Sequence, residues 1–191
     1  NCFPKMEGIE LVSLNDIPAV DDSALVEGPD FRENARMKAK FYFEKTGIPT
    51  ISTDNVFWVE KWPKDNGIIV HMRKEANPES ERTTDDEVVA YFDTWIEKHG
   101  PSKAHFIFAL AYADHNGVQE AESAQREYIL QNKAVKDFPA GYPMEHFLKD
   151  AKTGEFKREQ KDEVRYDKLI KKLSEVANVW FGAKKQMTVF T

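Results

Sequence analysis

Asp30-Phe31-Arg32-Glu33-Asn34-Ala35-Arg36-Met37-Lys38-Ala39 (DFRENARMKA) is the stretch on which the reading of this chain turns. Asp30 at the start and Glu33 three residues on form a capping-box pattern, so a helix should begin here. It should run to about Thr46, with Gly47 supplying the left-handed residue that ends it. Phe31, Ala35, Ala39 and Tyr42 recur at helical spacing and define one apolar stripe. Lys38 falls almost on the centre of that stripe, and Asn34 lies one turn before it. A lysine on a buried face needs a counter-charge, water or a route to the surface.

The second informative stretch is Ile51-Ser-Thr-Asp-Asn-Val-Phe-Trp-Val-Glu60 (ISTDNVFWVE). Its β-branched and aromatic residues predict strand, turn, strand, with Asp54 in the turn. Working outward, Ile9–Leu14 reads as a short strand and Gly67–Arg73 as another. A second capping box at Thr84–Glu87 opens a helix that buries Val88, Phe92, Trp95 and Ile96 and ends at Gly100. Ala104–Ala113 is apolar on both alternating faces, as a covered central strand should be. Asn116-Gly117 predicts a tight hairpin, with Val118–Leu130 returning alongside. A helix is expected from about Asp162 to Trp180, and the tail Gln186–Phe190 reads as strand. The pattern is α/β, a mixed sheet with flanking helices, read as a single domain over 1–191.

Totals narrow the function. The chain has 191 residues, 41% hydrophobic and 31% charged, with one cysteine and a net charge of −6. One cysteine permits no internal disulfide, which suits a reducing cytoplasm. No apolar run has the length of a membrane span. An acidic balance disfavours general nucleic-acid binding, while a small phosphorylated ligand carried with a cation stays compatible. There is no GxGxxG, no Walker lysine loop, no GxSxG elbow and no zinc spacing among the five histidines. Oxygen chemistry is what is left. Glu33 is either a simple cap or an anion placed to hold Mg²⁺, and Asp54 either a turn device or a functional carboxylate.

The order of these pieces resembles the inosine triphosphate pyrophosphatase family, hydrolases of non-canonical purine nucleoside triphosphates. Phe31–Ala39 is similar to its F-x-E-N-A-x-x-K-A helix, Thr46-Gly-Ile-Pro49 to its T-G-L-P, and Thr53-Asp54-Asn55-Val56 to its D-D-S-G turn. The resemblance extends over about residues 8–175. It implies two lobes around a cleft, an Mg²⁺ cofactor, a homodimer, and a nucleoside triphosphate split into monophosphate and pyrophosphate. By the same resemblance Asp54 would hold metal and activate water, Glu33 would be a metal ligand, Lys38 would bind phosphate, and Asn34 would orient the acidic pair. Arg73, near the family's S-A-R segment, would contact phosphate or base. Tyr142 and Arg165 stand in the elements that contact the base.

Several departures accompany it. Thr53 replaces the first of the paired aspartates. Gly141-Tyr142-Pro143-Met144 lacks the aspartate of G-Y-D-P, and Val164-Arg165-Tyr166 lacks the histidine of S-H-R. The phosphate-cradling T-x-N-x-x-K loop has no counterpart in Asn1–Lys5. Met187–Thr191 looks like the family's first strand displaced to the tail, which predicts that Val189 pairs beside the central strands. A nucleotide-binding or regulatory protein with weakened turnover is therefore the alternative function.

Overall fold

The computed structural model describes residues 9–80, 82–124, 127–133, 138–157, 171, 175 and 186–190. The strands are β1 (Ile9–Ser13), β2 (Thr50–Val59), β3 (Ile68–Ile69), β4 (Ser102–Asp114), β5 (Gly117–Ala124), β6 (Tyr128–Leu130), β7 (Leu148–Asp150) and β8 (Gln186–Phe190). The helices are α1 (Phe31–Thr46), α2 (Met72–Ala76) and α3 (Asp85–His99). The chain divides into two compact units: one of residues 1–55, 108–124 and 167–191, the other of 56–107 and 125–166.

In the first unit, α1 starts and ends where its sequence dictates, but the capping box expected at Asp30 and Glu33 is only half made, since the Glu33 carboxylate pairs with Arg36. The Asp30 carboxylate accepts from the Arg32 and Glu33 N–H groups, and Gly47 closes the helix with φ of 69°. Its buried residues are Phe31, Asn34, Ala35, Ala39 and Tyr42, the predicted stripe plus one amide. The tail strand β8 lies between β1 and β2, parallel to both. Val189 pairs with Val12 on one side and Thr50 on the other, so the expectation for the tail is met. The far half of β4 is fully buried from Ala109 to Ala113 and turns at Asn116-Gly117 into β5, as predicted.

The second unit gathers the apolar core. Phe57, Val59, Trp62 and Ile69 pack with Val88, Val89, Phe92, Trp95 and Ile96 of α3 and with Tyr128, Leu130, Phe147 and Leu148. α3 begins with a reciprocal capping box between Thr84 and Glu87 and ends at Gly100, as expected. β6 pairs antiparallel with both β4 and β7. Gly67, at φ of 87°, admits no side chain: a Cβ would fall 2.8 Å from both the Trp58 indole nitrogen and the Val59 carbonyl.

Three elements differ from the sequence reading. β2 runs unbroken through Thr53, Asp54 and Asn55, so there is no turn at Asp54; the polar residues sit where the strand's burial lapses. Gly67–Arg73 is a two-residue strand followed by α2, with only Ile69 carried fully into the core. Val118–Leu130 is two strands rather than one. Of the helix expected from Asp162 to Trp180, Lys171 and Glu175 are helical and exposed; the other positions, Arg165 included, lie outside the described residues.

Candidate functional site

The feature that stands out in the first unit is Lys38. Its side chain is only 16% exposed, and its ammonium lies 2.9 Å from Glu27 Oε1 and 3.8 Å from Asp54 Oδ1. The stripe lysine has thus found counter-charge, and from two separate elements: the loop before α1 and the middle of β2. Asp54, itself 19% exposed, also accepts a hydrogen bond from the Asn55 N–H at 2.9 Å. Strand alternation puts Ser52 on the same face of β2. Its hydroxyl is completely buried and has no hydrogen-bond partner among the described residues.

An open cavity of about 560 Å³ adjoins the ammonium, lined by Asp22, Leu25, Val26, Glu27, Lys38 and Tyr42. Its loop wall is held at two points. The Asn34 amide accepts from the Gly28 N–H at 2.8 Å and donates to the Gly28 carbonyl at 3.0 Å. The Tyr42 hydroxyl donates to Asp22 at 2.8 Å. Burial, and then the Asp22 carboxylate, raise the Tyr42 phenol above its ordinary value.

Glu33 and Asn34, the other two expected residues of α1, make different contacts. Glu33 is 66% exposed and pairs with Arg36, which also reaches Glu120 on β5. At about 100° per residue, Glu33 and Lys38 stand about 140° apart around α1, so Glu33 does not join Asp54 and Lys38. The Asn34 amide is engaged by the Gly28 peptide, which gives this buried polar group a packing reason. Glu27, the nearest carboxylate to Lys38, was missed. It sits in an irregular loop eleven residues upstream of Lys38, where no periodicity marks it.

The second unit holds two other predicted residues and links them. Arg73, on α2, donates to the Thr83 carbonyl at 2.8 Å and pairs with Asp85. Asp85 also accepts the Gly141 N–H at 2.6 Å, and so steadies the turn that presents Tyr142, 61% exposed. The Gly141 N–H first, and the Arg73 guanidinium second, hold the Asp85 carboxyl below the usual carboxylate range. Deeper in this unit, Glu145 and Lys157 form an ion pair at 3.4 Å with 3% and 5% of their side chains exposed. The ammonium also lies 5.1 Å from the Phe106 ring centre.

A sequence profile for the Ham1 family matches residues 2–175. The chain belongs to the Ham1 family. The resemblance to the inosine triphosphate pyrophosphatases read from α1 and the residues around Asp54 is borne out, and with it the α/β fold with a mixed sheet and flanking helices. No curated protein sequence matches the chain. Similar solved structures include a nucleoside-triphosphatase / dITP/XTP pyrophosphatase from Mycobacterium abscessus, 20% identical, with a TM-score of 0.60 over 91% of this chain and 86% of that one. A HAM1 protein from Coxiella burnetii is 17% identical, with a TM-score of 0.60 over 85% and 81%. The Ham1 protein of Staphylococcus aureus is 14% identical, with a TM-score of 0.58 over 87% and 83%. At these identities the likeness speaks for the fold.

The donor set of this Ham1 chain suits a hard cation in one limited way. Mg²⁺ is usually held by one or two carboxylates together with substrate phosphates and water, not by an all-protein cage. Asp54 fits that role. Among the described residues no three His, Cys, Asp or Glu side chains gather as a metal cage. Nor, among those residues, is any helix long and apolar enough to cross a membrane.

Proposed function

We propose that this Ham1 protein is an Mg²⁺-dependent nucleoside triphosphate pyrophosphohydrolase, acting in the cytoplasm as a homodimer on non-canonical purine nucleotides. One observation carries the reading: a largely buried lysine ammonium, on the family's helix motif, held 3.8 Å from the carboxylate of Asp54. Lys38 binds phosphate oxygens, which replace carboxylate oxygens as its counter-charge. Asp54 accepts a proton from the attacking water. The water oxygen bonds to the α-phosphorus, the bond from that phosphorus to the bridging oxygen breaks, and pyrophosphate leaves. Mg²⁺ travelling with the triphosphate and held by Asp54 would neutralise charge on the phosphate oxygens. Holding water and phosphorus in line supplies much of the rate.

A second reading, a nucleotide-binding protein with weakened turnover, is favoured by Glu33 lying apart from Asp54 and by Thr53 standing where a second carboxylate is expected. Pyrophosphate release from a panel of nucleoside triphosphates, with and without Mg²⁺, separates the two. The enzyme releases pyrophosphate only with the metal and fastest from inosine or xanthosine substrates. Binding of the same nucleotides with no release under any condition would replace it with the second reading.

A further inference from the structure

We propose that Glu27 is a positioning residue that occupies Lys38 in the empty site and competes with substrate phosphate for its ammonium. This rests on the reading of Lys38 as the phosphate ligand. The geometry separates Glu27 from the other carboxylate on that ammonium. Glu27 Oε1 is the closer of the two, at 2.9 Å against 3.8 Å for Asp54. Asp54 stands on the sheet strand β2 and is only 19% exposed. Glu27 belongs to the loop and is 47% exposed, next to Val26 at 76%.

That loop is anchored on both sides of Glu27, and the Leu25 N–H donates to the Asp22 carbonyl at 2.8 Å. Gly28 is fixed by both groups of the Asn34 amide, and Asp22 by the Tyr42 hydroxyl. Leu25, Val26 and Glu27 lie between these points and form one wall of the cavity that reaches Lys38. A rotation of the Glu27 side chain into solvent uncovers the ammonium without disturbing either anchor. Asp22, the cavity's other carboxylate, is engaged by Tyr42 and is not the competitor. The electrostatics agree. Lys38 already has two carboxylates about it, so a phosphate arriving beside both meets net repulsion, and release of the mobile one removes part of it. A small anion that cannot displace a carboxylate is thereby screened out, whereas a polyphosphate with several charges is admitted.

The test is the affinity for inorganic pyrophosphate, measured by titration calorimetry on the full chain, with and without Mg²⁺. The proteins are the wild type, Glu27→Gln and Lys38→Met. Removing an exposed competing charge should tighten pyrophosphate binding by about three- to fivefold in Glu27→Gln, with or without metal. Lys38→Met should weaken it by at least about tenfold. If Lys38→Met weakens binding and Glu27→Gln leaves metal-free binding unchanged or weaker, the competition is refuted while Lys38 keeps its phosphate role. If Glu27→Gln loses affinity only when Mg²⁺ is present, Glu27 is a metal ligand, and the proposal is likewise overturned. If Lys38→Met binds as the wild type does, or the wild type does not bind, the underlying phosphate assignment falls and the competition with it.

Discussion

Asn34 offers a sharp quantitative test, because its side chain is spent on a single peptide. Replacing it with alanine deletes two hydrogen bonds, of 2.8 and 3.0 Å, to Gly28. Each is worth about 1 kcal/mol net, so the loss is about 2 kcal/mol; Gly28 is only half-buried, and water reaching the freed peptide keeps the cost near that value. For a chain of this length the midpoint of thermal unfolding should fall by about 4–8 °C. Scanning calorimetry reads the shift, and limited proteolysis between Asp22 and Gly28 reads the release of the loop. Asn34→Asp adds a sign. Its carboxylate can still accept the Gly28 N–H but faces the Gly28 carbonyl, so only the protonated acid restores both bonds. The folded-state pKa of that aspartate is therefore raised. Its stabilisation is fully present below the unfolded-state pKa and is lost as pH rises through the folded-state value. An alanine variant that melts within a degree of the wild type, or an aspartate variant that gains stability as pH rises, would refute the clamp.

Three further outcomes follow from the fold. Lys157→Met should cost about 3–5 kcal/mol in chemical denaturation, because it breaks an ion pair whose two side chains are both buried. Asp85, whose pKa is lowered by the Gly141 N–H and then Arg73, contributes stability that is present above the ordinary value of 3.8 and is lost as pH falls through its folded value. Asp85→Asn should flatten that acid limb of the stability profile. Val189→Pro should destabilise the first unit by about 1–3 kcal/mol, since β8 is paired on both sides and proline removes a ladder hydrogen bond from its interior; an unchanged midpoint would remove β8 from the interior of the sheet.

What could be read from the sequence was local and periodic. The apolar stripe of α1, its Asp30 and Gly47 caps, the Thr84–Glu87 box and the Asn116-Gly117 hairpin each follow from spacings of a few residues. The partnership of Lys38 with a β2 carboxylate was legible for a different reason: a charge on an apolar stripe demands an answer. The break in apolar pattern at Thr53–Asn55 reads as a turn in the sequence because an exposed lapse within a strand and a true turn share the same residues. Glu27 was invisible because a loop carries no period, and its place depends on Asn34 gripping Gly28. For Glu33 the sequence does not decide, because its place in a helix's first turn suits a metal ligand and an ion pair with Arg36 equally. The burial of Glu145 and Lys157 is a tertiary fact that no local pattern announces.

The central claim is that Asp54 and Lys38 together run a pyrophosphate-releasing hydrolysis. Turnover of inosine triphosphate by Asp54→Asn, with product identity followed beside the wild type, tests it most directly. The account predicts one pyrophosphate per monophosphate from the wild type and a rate at least about a hundredfold lower from a variant that melts normally. Full activity in Asp54→Asn, or inorganic phosphate as the released product, would contradict it.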